Sequence, residues 1–114
     1  MSTAEALQVS VHYGGEGARV AIVVLEGKLQ LGGNPQQLRQ AVKDQVELGI
    51  HSIVLDMRAL TYIDSAGLGT LMACYTTLRS LGGRMRLLKP TPRVRDVLLI
   101  VKLMPLFEDR KSVV

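Results

Sequence analysis

The sequence predicts an α/β domain: a mostly parallel open sheet of four to five strands, with an antiparallel N-terminal edge and three or more helices. Three observations predict it. Strand-like and helix-like stretches follow in the order β-β-α-β-α-β-α, and right-handed crossovers turn that order into a parallel sheet. The chain is 47% hydrophobic but only 4% aromatic, so its core is aliphatic, as buried parallel strands are. Its 114 residues are enough for one domain and one core. Residues 1–114 read as a single domain with its core at about 7–109.

Each element has a local reason. Leu7, Val9, Val11 and Tyr13 alternate with Gln8, Ser10 and His12, which predicts a strand with one wet face. Gly14-Gly15-Glu16-Gly17 is hairpin-turn chemistry. Val20 to Leu25 is a continuous apolar run, read as a strand covered on both faces and antiparallel to the first. Asn34 is expected to cap a helix that begins at Pro35. Leu38, Ala41, Val42 and Val46 form its apolar stripe, and Gly49 ends it. Ile53 to Met57 is the central strand. A second helix after Ser65 carries Leu68, Leu71, Met72, Tyr75, Leu78 and Leu81 and stops at Gly82-Gly83. Met85, Leu87 and Leu88 mark another strand. Thr91-Pro92 repeats the cap-plus-proline pattern, and Val94, Val97, Leu98 and Val101 face inward from the third helix. Pro105 cannot continue that helix, and Leu106-Phe107 leaves room for a short final strand.

Composition narrows the function. Cys74 is the single cysteine, so it makes neither an internal disulfide nor a metal site by itself. It reads as a small core residue in a reducing, intracellular protein. The start Met1-Ser2-Thr3-Ala4-Glu5 lacks the basic and apolar segments of a signal peptide. No stretch reaches the roughly 20 apolar residues that span a bilayer. The expected location is therefore cytoplasmic, without membrane insertion. The net charge is +4, concentrated in Arg79, Arg84, Arg86, Lys89, Arg93, Arg95 and Lys102, with only Asp96 opposing. Such a face suits solvent, an acidic protein or an anionic surface. No aromatic residues interleave to stack on bases, which argues against direct nucleic-acid binding.

The most informative segment is Asp64-Ser65-Ala66-Gly67-Leu68-Gly69. It places a carboxylate and a hydroxyl at a helix start, just past the carboxyl end of a strand, where ligands and partners meet open α/β sheets. Two glycines follow, although glycine costs about 1 kcal/mol relative to alanine in a helix interior. They are expected to keep the surface flat, so that another backbone can approach Ser65. Substituting valine for Gly67 or Gly69 is then expected to weaken partner binding more than folding. Asp64 or Ser65 also reads as a plain N-cap. A phosphate on Ser65 would be tolerated at a helix N-terminus and would add roughly two negative charges to the surface. Nucleophilic catalysis is disfavoured. The segment is not the G-x-S-x-G elbow, and the only histidines are His12, on an edge strand, and His51, at the far end of the central strand. Gly67-Leu68-Gly69 has Met72 where a dinucleotide fingerprint needs a third glycine.

The stretch Leu55-Asp56-Met57-Arg58-Ala59-Leu60-Thr61-Tyr62-Ile63-Asp64-Ser65-Ala66-Gly67-Leu68-Gly69 resembles the signature of STAS domains, and most of all that of bacterial anti-sigma factor antagonists. Gly82-Gly83 before a strand, Pro92-Arg93-Val94 opening a helix, and Lys102-Leu103-Met104-Pro105-Leu106-Phe107 are similar too. The resemblance spans about Leu7 to Asp109. It implies that Ser65 is phosphorylated by a partner that is both a serine kinase and an anti-sigma factor. The unphosphorylated antagonist binds that kinase and releases a sigma factor, activating transcription. Phosphorylation breaks the complex and a serine phosphatase restores it. The implied partner surface comprises Gln30, Asp64, Ser65, Ala66, Gly67, Leu68 and Gly69. The kinase brings ATP and Mg²⁺, so the chain itself is expected to hold no cofactor or metal and to be no enzyme. One departure stands out. Gly27-Lys28-Leu29-Gln30 carries Gln30 where the family often has an acidic residue. That keeps an alternative open: a STAS module without phosphorylation, serving as a stressosome scaffold subunit or a component of a lipid transporter.

Overall fold

In the computed structural model, which describes residues 7–15, 17 and 19–100, the chain forms β1 (Gln8–Gly14), β2 (Val20–Leu29), α1 (Gln36–Glu47), β3 (Ser52–Ile63), α2 (Ser65–Ser80), β4 (Arg84–Leu88) and α3 (Pro92–Ile100). A single 3₁₀ turn, Leu31–Gly33, sits between β2 and α1. The four strands lie in the order β1-β2-β3-β4. β1 runs antiparallel to β2, while β3 is parallel to both β2 and β4. This is the predicted mixed sheet. The expected final strand at Leu106-Phe107 lies outside the described residues, as do Val101 and Lys102.

Register assigns every strand residue to a face. Ala21 and Val23 align with Ile53, Leu55, Met85 and Leu87, and these and Leu25 are all buried. They form one cluster with Leu38 and Val42 of α1, Leu71, Cys74 and Leu78 of α2, and Val94 and Leu98 of α3. The helices therefore cover this face. The opposite face carries Val20, Ile22, Val24 and Val54, only half-buried, flanked by exposed Gln8, Ser10, His12, Arg84 and Arg86. The expectation that β2 is covered on both faces is corrected here. Its unbroken apolar run reflects neighbouring strands that shelter one another sideways, and among the described residues no second helical layer covers this face.

β3 is also longer than the expected Ile53 to Met57. It continues to Ile63 through two irregularities in its pairing with β2, each placing one extra residue on β3. A bulge resets the in–out phase of a strand. Buried positions accordingly step from Met57 to Leu60 to Ile63, in threes instead of twos. That broken alternation hid the second half of the strand from a period-two reading.

Three helix boundaries differ in detail. Asn34 is not the N-cap of α1. Pro35 occupies that position without a side-chain cap, and Asn34 takes a left-handed conformation at φ 62°, which asparagine tolerates better than most residues. Thr91 precedes α3 as expected, but its hydroxyl donates to the Leu60 carbonyl at 2.9 Å. Leu81 lies just past α2 and is exposed. The stripe Leu38, Ala41, Val42 and Val46 packs on the core as predicted. Cys74 is buried, and burial pushes its thiol pKa up to about 11.

Candidate functional site

The carboxyl ends of β2 and β3 lie side by side, with Leu29 opposite Ile63. Each strand then leads into a segment at the same rim: the Leu31–Gly33 turn after β2, and the start of α2 after β3. Asp64 fastens the two together. It is the N-cap of α2, with one carboxylate oxygen accepting from the Gly67 N–H at 2.9 Å. The other oxygen accepts from the Leu31 N–H at 3.1 Å. The Asp64 N–H in turn donates to the Leu29 carbonyl at 3.3 Å. Partial burial by itself would raise the Asp64 pKa. Backbone N–H donors from Gly67, Leu31 and Ala66 outweigh it and hold the carboxyl below its ordinary value.

Because Asp64 does the capping, Ser65 is left as the first helical residue, exposed. Its hydroxyl makes no hydrogen bond among the described residues. Gln30, just past β2, and Ala66 and Leu68 are half-buried, and Gly69 is exposed. Gly67 departs from expectation. It is buried, and an added Cβ would collide with the Leu29 carbonyl oxygen and lie 2.9 Å from Ile63 Cγ1. This glycine serves close packing of α2 on the strand ends and does not flatten an outer surface. Gly69 differs: an added Cβ meets nothing within 4 Å. The expected effect of a valine at Gly67 is therefore reversed toward folding, while Gly69 remains a surface residue.

Two cations stand on the approach to this rim. Lys28 pairs in register with Tyr62, and its ammonium lies 5.9 Å from the ring centroid, within cation–π range. Arg58 is committed elsewhere. Its guanidinium contacts Asp56 at 2.7 and 3.0 Å, and its N–H donates to the same carboxylate at 3.1 Å. The Arg58 hydrogen bond holds the buried Asp56 carboxyl below its ordinary pKa despite burial.

Leu31 escaped the sequence reading. It is 76% exposed, an apolar side chain held out beside the α2 start by the Asp64 bond to its own N–H. The available signal was a lone leucine in Leu31-Gly32-Gly33-Asn34 that fits neither helical nor strand periodicity.

Among the described residues no histidine stands beside Ser65. His51 precedes the twelve-residue β3 and Ser65 follows it, a separation of roughly 35 Å at ~3.3 Å per residue. His12 stands on β1 opposite Ile22, level with Val54. Among the described residues no cluster of three or more His, Cys, Asp or Glu side chains is placed to hold a metal ion. No described helix is long and apolar enough to cross a membrane.

Comparison with known proteins agrees with this architecture. The chain is 34% identical over 91 residues to a Bordetella bronchiseptica protein that bears the provisional name anti-sigma factor antagonist BtrV, covering 80% of this chain and 78% of the relative. Its fold is similar to the crystal structure of an anti-sigma factor antagonist from Mycobacterium paratuberculosis, with a TM-score of 0.77 at 23% identity over 94% of this chain and 87% of that one. It is also similar to the Bacillus cell fate determinant SpoIIAA in its phosphorylated form, with a TM-score of 0.69 at 23% identity over 90% of each chain. The family model for the STAS domain matches residues 16–113, and the chain belongs to the STAS domain family.

Proposed function

We propose that the chain is an anti-sigma factor antagonist switched by phosphorylation of Ser65. The observation that carries this reading is the division of labour between Asp64 and Ser65. Asp64 supplies the cap, so the adjacent hydroxyl is exposed and has no structural duty. A phosphate at that position meets the partial positive charge of the α2 N-terminus, and the domain stays folded. What changes is the surface: roughly two negative charges appear beside Leu31 and Gly69, where a partner docks.

The partner is an anti-sigma serine kinase. It binds the unphosphorylated rim through Gln30, Leu31, Asp64, Ser65, Ala66, Leu68 and Gly69, and its sigma factor is freed in the cytoplasm. A serine phosphatase resets the switch. The chain acts by binding, not by catalysis; among the described residues no histidine lies near Ser65 to serve as its base. Support comes from a relative named as an anti-sigma factor antagonist at 34% identity, and from a similar fold known in a phosphorylated form.

The test is intact-mass spectrometry after incubation with Mg-ATP and a candidate anti-sigma kinase from the same genome. One added phosphate on the wild type and none on Ser65→Ala is the expected result. No phosphate from any active candidate kinase would overturn it. Gln30 at the position where an acid is usual favours the second reading, a scaffold or transporter-associated module, which that outcome would promote.

A further inference from the structure

We infer that the groove between α1 and α2 receives an acidic amphipathic helix of the same partner that covers Ser65, an inference that rests on the reading above. The groove has a volume of about 320 Å³. Its floor is apolar, made by Val42 and Val46 of α1 and by Ala73 and Cys74 of α2. Arg39 and Lys43 form its α1 wall.

Three features select the occupant. First, the α2 wall is built from Ala73 and Thr77, four residues apart on one helix face, with Gly69 one turn before them. Ser65 opens the same helix roughly two to three turns earlier. Small side chains at this spacing let another helix approach closely, as ridges fit grooves. From Gly69 to Thr77 the track is about 12 Å long at ~1.5 Å per residue, or roughly two turns of a docked helix.

Second, the groove is cationic without internal neutralisation. Arg39 and Lys43 are both exposed, and neither forms a hydrogen bond or ion pair among the described residues. As like charges four apart they repel each other by a few tenths of a kcal/mol, which a purely structural helix face does not require. The acids of α1 do not compensate. Asp44 accepts from Gln40 at 2.8 Å, and Glu47, one turn past Lys43, does not pair with it. α2 contains no acidic residue between Ser65 and Ser80.

Third, the groove and the rim share a helix, since the α2 that carries Ala73 and Thr77 begins at the residue proposed as the switch. An apolar floor with a cationic wall is complementary to a helix carrying carboxylates beside an apolar stripe, the helix-in-groove mode of recognition.

The experiment uses the kinase that phosphorylates Ser65 as its probe. Hydrogen exchange of the intact chain is followed with and without the kinase, and affinities are measured for the wild type, Arg39→Glu/Lys43→Glu and Ala73→Leu. Circular dichroism confirms that each variant is folded. The expected result is protection at residues 39–46 and 73–77 as well as at the rim. The charge-reversal variant should lose about tenfold in affinity, with the wild-type interaction weakening as salt rises. Ala73→Leu should lose a similar factor by filling the groove. Rim protection without groove protection, with both variants within twofold of wild type, overturns the inference and leaves the Ser65 reading intact. A wild type that neither binds nor is phosphorylated overturns both. The same inference fails if Arg39→Glu/Lys43→Glu keeps kinase affinity but abolishes binding to phosphatidylglycerol-containing vesicles, since the groove would then be a lipid surface.

Discussion

The Asp64 carboxylate accepts the Leu31 N–H at 3.1 Å across 33 residues of sequence, while its other oxygen caps α2 at Gly67. One side chain thus sets both where the helix bearing Ser65 begins and where the exposed Leu31 stands. The rim is a single unit because its two segments share this carboxylate.

Removing it should loosen both segments. Asp64→Ala deletes an N-cap, worth about 1 kcal/mol, and a charge-assisted bond to Leu31, worth about another 1 kcal/mol. Chemical denaturation should show a loss of about 2 kcal/mol, with amide exchange faster at both Leu31 and Gly67. A loss below about 0.5 kcal/mol would mean that water replaces the carboxylate at both donors.

The two glycines should separate cleanly. Gly67→Ala places a methyl against the Leu29 carbonyl and Ile63, and overpacking of this kind costs about 1–3 kcal/mol. Gly69→Ala enters open space in a helix and should stabilise by about 0.5–1 kcal/mol. Thermal melts of the two variants should shift in opposite directions. A shift of the same sign would show that the two sites are not packed differently.

Ser65→Asp should fold at least as well as the wild type. The side chain is exposed, and an acidic residue in the first turn of a helix contributes about 0.3–1 kcal/mol favourably at low salt. Its affinity for the proposed anti-sigma kinase should fall at least about tenfold. Equal kinase affinity, measured calorimetrically, would contradict the charge switch.

Acid should weaken the fold through Asp56 and Asp64. Both carboxyls are held below their ordinary value of 3.8 in the folded chain. The unfolded chain therefore takes up protons first as pH falls. Their contribution is complete above the ordinary value and is lost as pH drops through the lowered folded values. Denaturation midpoints should be insensitive to these two groups near neutrality and decline below about pH 4. Asp64→Asn should flatten that decline, and an unchanged slope would remove Asp64 as a contributor.

Element order and type were legible in the sequence because they follow from local rules. Alternation at Leu7 to Tyr13, the stripe of Leu38, Ala41, Val42 and Val46, and the glycines ending the first two helices need no long-range information. The family resemblance likewise lies in one contiguous stretch around Asp64 and Ser65. What local rules missed was decided by contacts between distant segments. β3 runs to Ile63 because bulges let it keep pairing with β2, and its broken periodicity makes sense only beside that partner.

The same division runs through the site. By itself the sequence determined that an acid and a serine begin a helix at the carboxyl end of a strand, since capping preferences and hydrophobic patterning are properties of neighbouring residues. Tertiary structure alone decided which of the two is the cap, that Gly67 is buried and Gly69 open, and that Leu31 stands beside Ser65. Each of those depends on where the end of β2 lies against the start of α2. That distance is set by strand pairing across the sheet, which no local stretch of sequence encodes.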